Sequence, residues 1–197
     1  STVALEDLAR EGLLALTVGQ ANLCDAQFDQ IEDSCNTLAG ILGRRWDAGQ
    51  APVPRESYAI TNPPPDKASA SVYHHPQAVA FEAIRDDRDR TADVDDVFTA
   101  VMSRNPNVTD FVIGTPGGLF RRFPWHANIA PDYDARTRDW YTRAWGSRSL
   151  GWSDPYVGMI ARNLRVNCSA PVFNSRGDMV AVIGVDVLLQ TISERII

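Results

Sequence analysis

Residues 164–188 read LRVNCSAPVFNSRGDMVAVIGVDVL, and this stretch decides the predicted fold. Two largely apolar runs, 164–173 and 179–188, flank the polar segment NSRGD. Runs of this length and composition predict strands, and a Gly-Asp pair between two such runs is typical of a hairpin turn. The turn also accounts for the adhesion-like Arg-Gly-Asp tripeptide, so no adhesion function is inferred. We therefore predict an antiparallel β-hairpin.

Three more strands are predicted upstream of this hairpin, at 108–114, 119–123 and 154–161, and each alternates or runs apolar between turn residues. A short helix is predicted between them at 136–145, and a last helix is predicted to begin near Leu189. The sum is an α+β fold with a five-stranded antiparallel meander that one helix interrupts.

The N-terminal region is predicted to form one long helix over 3–47. Its apolar residues recur at alternating spacings of four and three and form a single stripe. The stripe consists of Cys24, Phe28, Ile31, Cys35, Leu38 and Leu42. A helix of about 45 residues is about 65 Å long, so one end should project from the body. The stripe could face its own sheet or a partner subunit in a homodimer. We divide the chain into this helix, 1–48, and a single domain, 49–197.

The cysteines do not predict a disulfide framework. Cys24 and Cys35 would lie about 16 Å apart along the helix axis, which is beyond disulfide reach. Both are therefore predicted to fill the core, because free cysteine is commonly buried. Cys168 lies in a predicted strand.

The segment between the long helix and the first predicted strand has three parts. Residues 49–72 are dense in proline, which cannot continue a helix or donate to a sheet, so an ordered loop is predicted. A helix is predicted over 76–83, followed by a charge-rich, solvated stretch over 86–96. Apolar residues over 94–102 have helical spacing and predict an amphipathic helix, with Asp93 as its N-cap.

Composition excludes several classes of function. The 197 residues carry 19 basic and 25 acidic side chains, for a net charge of −6, so attraction to nucleic acid is not expected. No apolar run is long enough to span a membrane, and no cleavable signal is recognisable. Phosphate loops, nucleophile elbows and paired-cysteine metal spacings are absent from the sequence. We expect no enzyme activity and no cofactor. We also expect no metal site, because the adjacent His74 and His75 would point to different sides of a regular element.

Residues 131–141, PDYDARTRDWY, concentrate arginine and aromatic side chains. Arginine offers a planar fork that suits a carboxylate, and Trp and Tyr offer flat apolar walls with one polar tip each. The same residue types could instead pack a helix on a sheet, with Arg138 bonded to a backbone carbonyl. Residue types alone leave both interpretations open.

The order of the motifs resembles the Cache family. The run Tyr-Asp-x-Arg-x-Arg-x-Trp-Tyr is followed by Trp-Ser-Asp-Pro-Tyr at 152–156 and by a last strand, Val-Ile-Gly-Val-Asp-Val, at 182–187. Over about 97–190 the chain is similar to the membrane-distal module of double-Cache sensors, which are extracytoplasmic relatives of PAS domains. The resemblance implies a long N-terminal helix packed on a PAS-like five-stranded antiparallel sheet with short flanking helices. Family members are ligand-binding ectodomains of chemoreceptors, sensor histidine kinases, nucleotide cyclases and phosphatases.

Within the family the chain resembles an amino-acid-binding subgroup at six positions. These are Tyr133, Arg138, Trp140, Tyr141, Tyr156 and Asp186. The resemblance implies that Arg138 and the indole N–H of Trp140 hold a ligand carboxylate. It also implies that Asp186, with tyrosine hydroxyls, receives an α-ammonium group. Asp139 departs from the family pattern, which commonly has proline there, and its carboxylate could compete with the ligand for Arg138.

The chemistry of an amino-acid ligand agrees with this assignment. A zwitterion is buried at low cost only where each end meets an opposite charge. We expect an extracytoplasmic (periplasmic or extracellular) sensor domain of a membrane receptor, anchored through segments outside this chain. The helix 1–48 would carry its signal. Only 11 residues follow Asp186, so a single sensor module is expected.

Three alternatives stay open. The same fold could bind a small carboxylate such as acetate, lactate or pyruvate, and Asp186 would then serve structure. A hydrolase is disfavoured because no nucleophile with a nearby base is identifiable. A purely structural interaction module is the third alternative.

Overall fold

The computed structural model describes residues 2–47, 56–157 and 163–189. The helices in this part are Thr2–Gly43 (α1), Phe81–Arg90 (α2), Asp95–Arg104 (α3) and Asp139–Ser147 (α4). The strands are Val72–His74 (β1), Val108–Gly114 (β2), Phe120–Phe123 (β3), Gly151–Trp152 (β4), Tyr156–Val157 (β5), Leu164–Phe173 (β6) and Met179–Leu188 (β7). The predicted α+β class is confirmed. None of these helices is both long and apolar enough to cross a membrane.

The predicted hairpin is present with its predicted bounds. β6 and β7 pair antiparallel from Arg165↔Leu188 to Phe173↔Met179. Gly177 in the connecting turn has a φ of 82°, a left-handed conformation that glycine adopts without strain. The sequence signal was sufficient here because turn chemistry and strand pattern agree.

The sheet is not a simple meander. Its order is β1-β3-β2-β7-β6-β4, with β5 also paired to β6, so β2 lies beside β7. The predicted strand order was therefore wrong, because the long connection between β3 and β4 allows the chain to cross the sheet. The short strands β1 and β4 were not predicted, which gives a sheet of 7 strands in the described residues rather than five. Of the strand predicted over 154–161, Tyr156–Val157 is present, and residues 158–162 lie outside the described part.

α1 packs along one face of the sheet. The buried stripe residues are Ile31, Cys35, Leu38 and Leu42, with Phe28 partly buried beside them. The side chain of Cys24 lies outside what the structure describes. At the end of the helix, a Cβ on Gly43 would lie 1.9 Å from the carbonyl oxygen of Phe173, so only glycine permits this close approach. Cys35 is a buried free thiol, as predicted.

The helix predicted over 76–83 was wrong. Residues 76–80 are not helical, and α2 begins at Phe81 and continues through Arg90. The charged stretch is held by the sheet, because the fully buried Arg121 of β3 donates to the carbonyl oxygen of Arg88 at 2.9 Å. Asp89 is 7% exposed, so the stretch is not uniformly solvated.

The predicted N-cap of the next helix was also wrong. Val94 is the N-cap residue of α3, and it has no side-chain capping bond. Asp93 instead forms an ion pair with Arg45. This pair joins the end of the N-terminal helix to the segment before α3, so the carboxylate serves tertiary structure rather than the helix terminus.

α4 covers the other face of the sheet. The helix predicted over 136–145 is split into a 3-10 turn, Ala135–Thr137, and α4. Asp134 caps the turn, because its Oδ1 accepts from the backbone N–H of Arg136 at 3.0 Å. The helix predicted near Leu189 falls mostly on residues 190–197, and the domain boundary at 48/49 falls on 48–55. Both segments lie outside the described residues.

Candidate functional site

Three polar residues form one row across the sheet face that α4 covers. Asp110 of β2 pairs with Asp186 of β7, and Asp186 pairs with Asn167 of β6. Residues directly opposite each other in antiparallel strands point to the same face. That face belongs to α4, since Ser169, two residues from Asn167, donates to the carbonyl oxygen of Trp140 at 2.8 Å. The fold thus places two carboxylates and an amide under α4.

Asp110 is fully neutralised by two arginines. Arg122 Nη2 lies 2.7 Å from Asp110 Oδ1, and Arg165 Nη1 lies 2.5 Å from Oδ2. The Asp110 side chain is only 3% exposed. Burial alone would raise its pKa, but the two guanidinium groups outweigh burial and hold the pKa below its ordinary value. Asp110 is therefore a charged structural residue.

Asp186 has neutral partners instead. Asn167 Nδ2 donates to its Oδ1 at 2.6 Å, and the Tyr156 hydroxyl forms a second hydrogen bond. Arg165 Nη1 is 4.0 Å from Asp186 Oδ2, farther than from Asp110. Burial raises the pKa of Asp186, the Asp110 carboxylate raises it further, and the hydrogen bonds offset this only in part. Asp186, whose side chain is 15% exposed, is thus a partly buried carboxylate short of positive charge.

A cavity of about 800 Å³ opens beside the two partners of Asp186. Asn167 and Tyr156 line it, together with Trp140 and Arg143 of α4 and Trp152 of β4. Small-molecule sites in proteins commonly enclose about 300–1,000 Å³ and mix aromatic walls with few polar groups. The size and lining of this cavity suit a small polar ligand.

Arg138 and Tyr133 lie together near the cavity. The exposed Arg138 guanidinium is 4.5 Å from the centroid of the Tyr133 ring. No carboxylate of the described chain forms an ion pair with Arg138, and Asp139 does not bind it. The Trp140 side chain hydrogen-bonds Tyr133, and since an indole can only donate, the phenol oxygen accepts. Burial raises the pKa of Tyr133. The Asp186 carboxylate also raises this pKa and the Arg138 guanidinium lowers it, so the Tyr133 hydroxyl lies within the influence of both charged groups.

Tyr141 points elsewhere. Its ring is 4% exposed, stacks on Trp145 at 5.4 Å, and would lie 2.8 Å from a Cβ on Gly114. Burial raises the pKa of Tyr141. The charged groups with the largest further effect on this pKa are Arg136 and Asp134, and neither is a predicted site residue. The structure therefore brings together five of the six predicted site residues and places Tyr141 in the packing between α4 and the sheet.

Three residues of the cavity wall were not predicted, namely Asn167, Arg143 and Trp152. Asn167 interrupts an otherwise apolar strand, which is a usable signal, but its place opposite Asp186 follows from strand register. Arg143 lies one helical turn after Trp140, and helical spacing from Trp140 could have found it.

The histidines do not form a metal site with other ligands. The rings of His74 and His75 lie 6.4 Å apart, and burial lowers the pKa of His74. Within residues 2–47, 56–157 and 163–189, no group of three or more His, Cys, Asp or Glu side chains is arranged to hold a metal ion.

Residues 123–194 match the family model described as methyl-accepting chemotaxis protein-like, first PDC sensor domain. The predicted Cache-type resemblance is confirmed. This PDC-like segment contains all six predicted site residues as well as Arg143 and Asn167. The matched family is a sensor domain and not an enzyme family. No protein with a curated description matches the sequence.

One solved structure shows the same fold, and two others are similar in sequence over part of the chain. Methyl-accepting Chemotaxis protein X is 16% identical with a TM-score of 0.58, over 97% of this chain and 66% of that chain. The ligand-binding domain of the Pseudomonas aeruginosa PAO1 amino acid chemoreceptor PctC, in complex with GABA, is 29% identical over 48% of this chain and 41% of that chain, with a TM-score of 0.43. That of Pseudomonas fluorescens chemoreceptor CtaA, with L-isoleucine, is 25% identical over 45% of this chain and 37% of that chain, with a TM-score of 0.40. The chain spans less than two thirds of each of these structures.

Proposed function

We propose that this chain is the extracytoplasmic ligand-binding part of a transmembrane signalling receptor, of the chemoreceptor or sensor-kinase type, and that it binds a small amino acid. The PDC-like segment and the fold support a sensor role. The observation that carries the amino-acid ligand is Asp186, a partly buried carboxylate beside the cavity with neutral partners. Arg165 pairs with Asp110 rather than with Asp186, so a ligand ammonium would supply the positive charge that Asp186 lacks.

The negative end of the ligand is assigned to Arg138, Tyr133 and Trp140. Because the Tyr133 oxygen accepts from Trp140, its own hydroxyl proton is available to a carboxylate beside Arg138. Charge-assisted hydrogen bonds contribute about 1.5–3 kcal/mol each. A few such bonds, together with packing of the ligand against the aromatic walls, would give micromolar binding, about −8 kcal/mol, after the entropy of association is subtracted. Tyr156 donates to Asp186 and closes the ammonium end.

The signal is proposed to reach α1 through Trp152. This residue lines the cavity, and its indole N–H donates to Glu32 Oε1 at 2.7 Å. Its ring also meets Phe28 edge-on, with centroids 4.8 Å apart. A ligand that displaces Trp152 therefore moves two contacts on α1 at once. The rest of α1 would transmit the shift toward the membrane, alone or in a homodimer.

Isothermal titration calorimetry with the common L-amino acids, and with acetate, lactate and pyruvate, tests this proposal. We expect one-to-one binding of an amino acid. Both Arg138→Ala and Asp186→Asn should weaken it about 30-fold or more, because each removes one partner of a desolvated charge pair, worth about 2–5 kcal/mol. Asp154→Asn is the matched control, since its exposed carboxylate lines the same cavity, and it should change affinity less than about 3-fold.

Other outcomes contradict the proposal in different ways. Unchanged amino-acid binding in Asp186→Asn would remove the ammonium site. Binding of acetate, lactate or pyruvate that survives Asp186→Asn, with no amino acid bound, would establish the small-carboxylate function instead. Binding unchanged in Arg138→Ala would remove the carboxylate site.

A further inference from the structure

Arg143 is the basic side chain among those lining the cavity. It lies three residues after Trp140 on α4, and Trp140, Tyr156 and Asn167 line the same cavity. Its Nη2 donates to Ser169 Oγ at 2.9 Å. Arg143 is not one of the six positions that the family resemblance assigns, so its charge has no role in the proposed zwitterion site.

The guanidinium of Arg143 is incompletely satisfied. Its Nε and Nη1 are buried and have no hydrogen-bond acceptor, and no carboxylate of the described chain forms an ion pair with it. Six buried side-chain atoms lack a partner in the described residues, and three of them belong to this cavity: Nε and Nη1 of Arg143 and Oδ1 of Asn167. Buried polar groups are nearly always bonded, so a concentration of exceptions at one cavity points to a ligand.

The charges that face Arg143 do not neutralise it. Asp139 and Asp154 line the cavity but are exposed, so solvent screens them. Burial lowers the pKa of Arg143, which shows that its charge is held at a cost. A partly buried cation whose Nε and Nη1 are buried without acceptors suits the binding of an anion.

Asp186 and Arg143 are anchored to neighbouring positions on the same face of β6. Asn167 bonds Asp186, and Ser169 bonds Arg143. The two residues are two apart on β6, which separates them by about 7 Å. A carboxylate that can bind an ammonium and a guanidinium that can bind an anion are thus anchored at neighbouring positions, within reach of one amino acid that carries both groups. The cavity of about 800 Å³ has room for an amino acid with such a side chain.

We propose that the cavity selects an amino acid whose side chain ends in a carboxylate, and that Arg143 binds this second carboxylate. The inference rests on the proposed amino-acid function and names its ligand class. Arg138 holds the α-carboxylate and Asp186 the ammonium, so Arg143 determines specificity and not the general affinity for amino acids.

The test compares L-glutamate with L-glutamine, which are nearly equal in shape and differ in charge. Calorimetry on the wild-type protein should show at least about a tenfold preference for glutamate. Arg143→Met should weaken glutamate about tenfold or more and change glutamine less than about 3-fold. Gly151→Ala should act in the same direction with no change of charge, because its Cβ would lie 2.7 Å from Arg143 Nη1 and displace the guanidinium.

The alternatives are distinguishable. Equal weakening of both ligands in Arg143→Met would overturn the assignment, because Arg143 would then hold the α-carboxylate or the fold. A wild-type protein that binds glutamine as tightly as glutamate, with binding still lost in Asp186→Asn, refutes the role of Arg143 alone. A wild-type protein that binds no amino acid refutes the proposed function too. If Arg143→Met does not fold, Gly151→Ala and Arg143→Gln give the same comparison.

Discussion

Asp186→Asn should make the ligand-free protein more stable while it weakens binding of the ligand about 30-fold or more. The substitution keeps the shape of the side chain and both hydrogen-bonding positions toward Asn167 and Tyr156. It removes a negative charge that is 15% exposed and lies beside the Asp110 carboxylate. A structural carboxylate would behave in the opposite way, so the sign of the change separates the two roles.

The magnitude follows from opposing contributions. Burial of a carboxylate costs several kcal/mol, and two hydrogen bonds to the charge return about 1.5–3 kcal/mol each. Arg165 adds little, because at 4.0 Å from Asp186 it is already bound to Asp110 at 2.5 Å. The raised pKa of Asp186 shows that the balance is unfavourable to the charge. We expect a gain of about 1 kcal/mol at pH 7, or about 2–4 °C in Tm.

The pH dependence has a defined sign. Because the pKa of Asp186 is higher in the folded than in the unfolded protein, the folded state holds more protons between the two values. The wild-type protein therefore loses stability as pH rises through the folded pKa. The advantage of Asp186→Asn should grow over that range and vanish below the unfolded pKa of about 3.9.

Urea denaturation and thermal melting between pH 3.5 and 8, on the ligand-free wild type and variant, measure this effect. Calorimetry with the preferred amino acid on the same samples measures binding. A variant less stable than wild type by about 1 kcal/mol or more at pH 7 refutes the reasoning, because Asp186 would then be satisfied by its own chain.

Three further predictions concern the helix and the sheet. Gly43→Ala should destabilise the fold by about 3 kcal/mol in urea denaturation, because its Cβ meets backbone. Gly40→Ala, in the same helix with nothing within 4 Å, should stabilise it by about 0.5–1 kcal/mol; equal effects would contradict the tight contact. Glu32→Gln should weaken the bond from Trp152 by about 1 kcal/mol and reduce the ligand-induced change in hydrogen exchange along α1; an unchanged response excludes this route. Arg121→Met should destabilise by about 3 kcal/mol with unchanged ligand affinity, and weakened binding would show that this arginine also supports the site.

Local patterns predicted most of the elements. The bounds of β6 and β7 and the four buried residues of the α1 stripe follow from periodicity and turn chemistry. Strand order did not follow, since it depends on how a long connection crosses the sheet. α2 was misplaced because the tertiary bond from Arg121 to Arg88 holds a charged segment that looks solvated in sequence.

The candidate site was predictable only where residues share one segment. Arg138 and Trp140 lie in a short motif, and the motif identified them. The role of Asp186 depends on which carboxylate pairs with Arg122 and Arg165. The sequence does not show that both arginines pair with Asp110. Arg143 was missed for a related reason, because its unsatisfied donors are visible only once its surroundings are known.

Arg121 and Arg143 show why a buried guanidinium can be structural in one place and functional in another. Arg121 is 1% exposed and donates to Thr91, Ser71 and the carbonyl oxygen of Arg88 at 2.7–3.0 Å. Burial lowers its pKa to about 10, so the charge persists at neutral pH and its neutral acceptors satisfy it. Arg143 has a single acceptor and two buried donors with none. The fold thus provides hydrogen-bond acceptors for Arg121 but not for the Nε and Nη1 donors of Arg143 at the cavity wall. The missing acceptors are therefore a property of the site, and an anionic ligand would provide them.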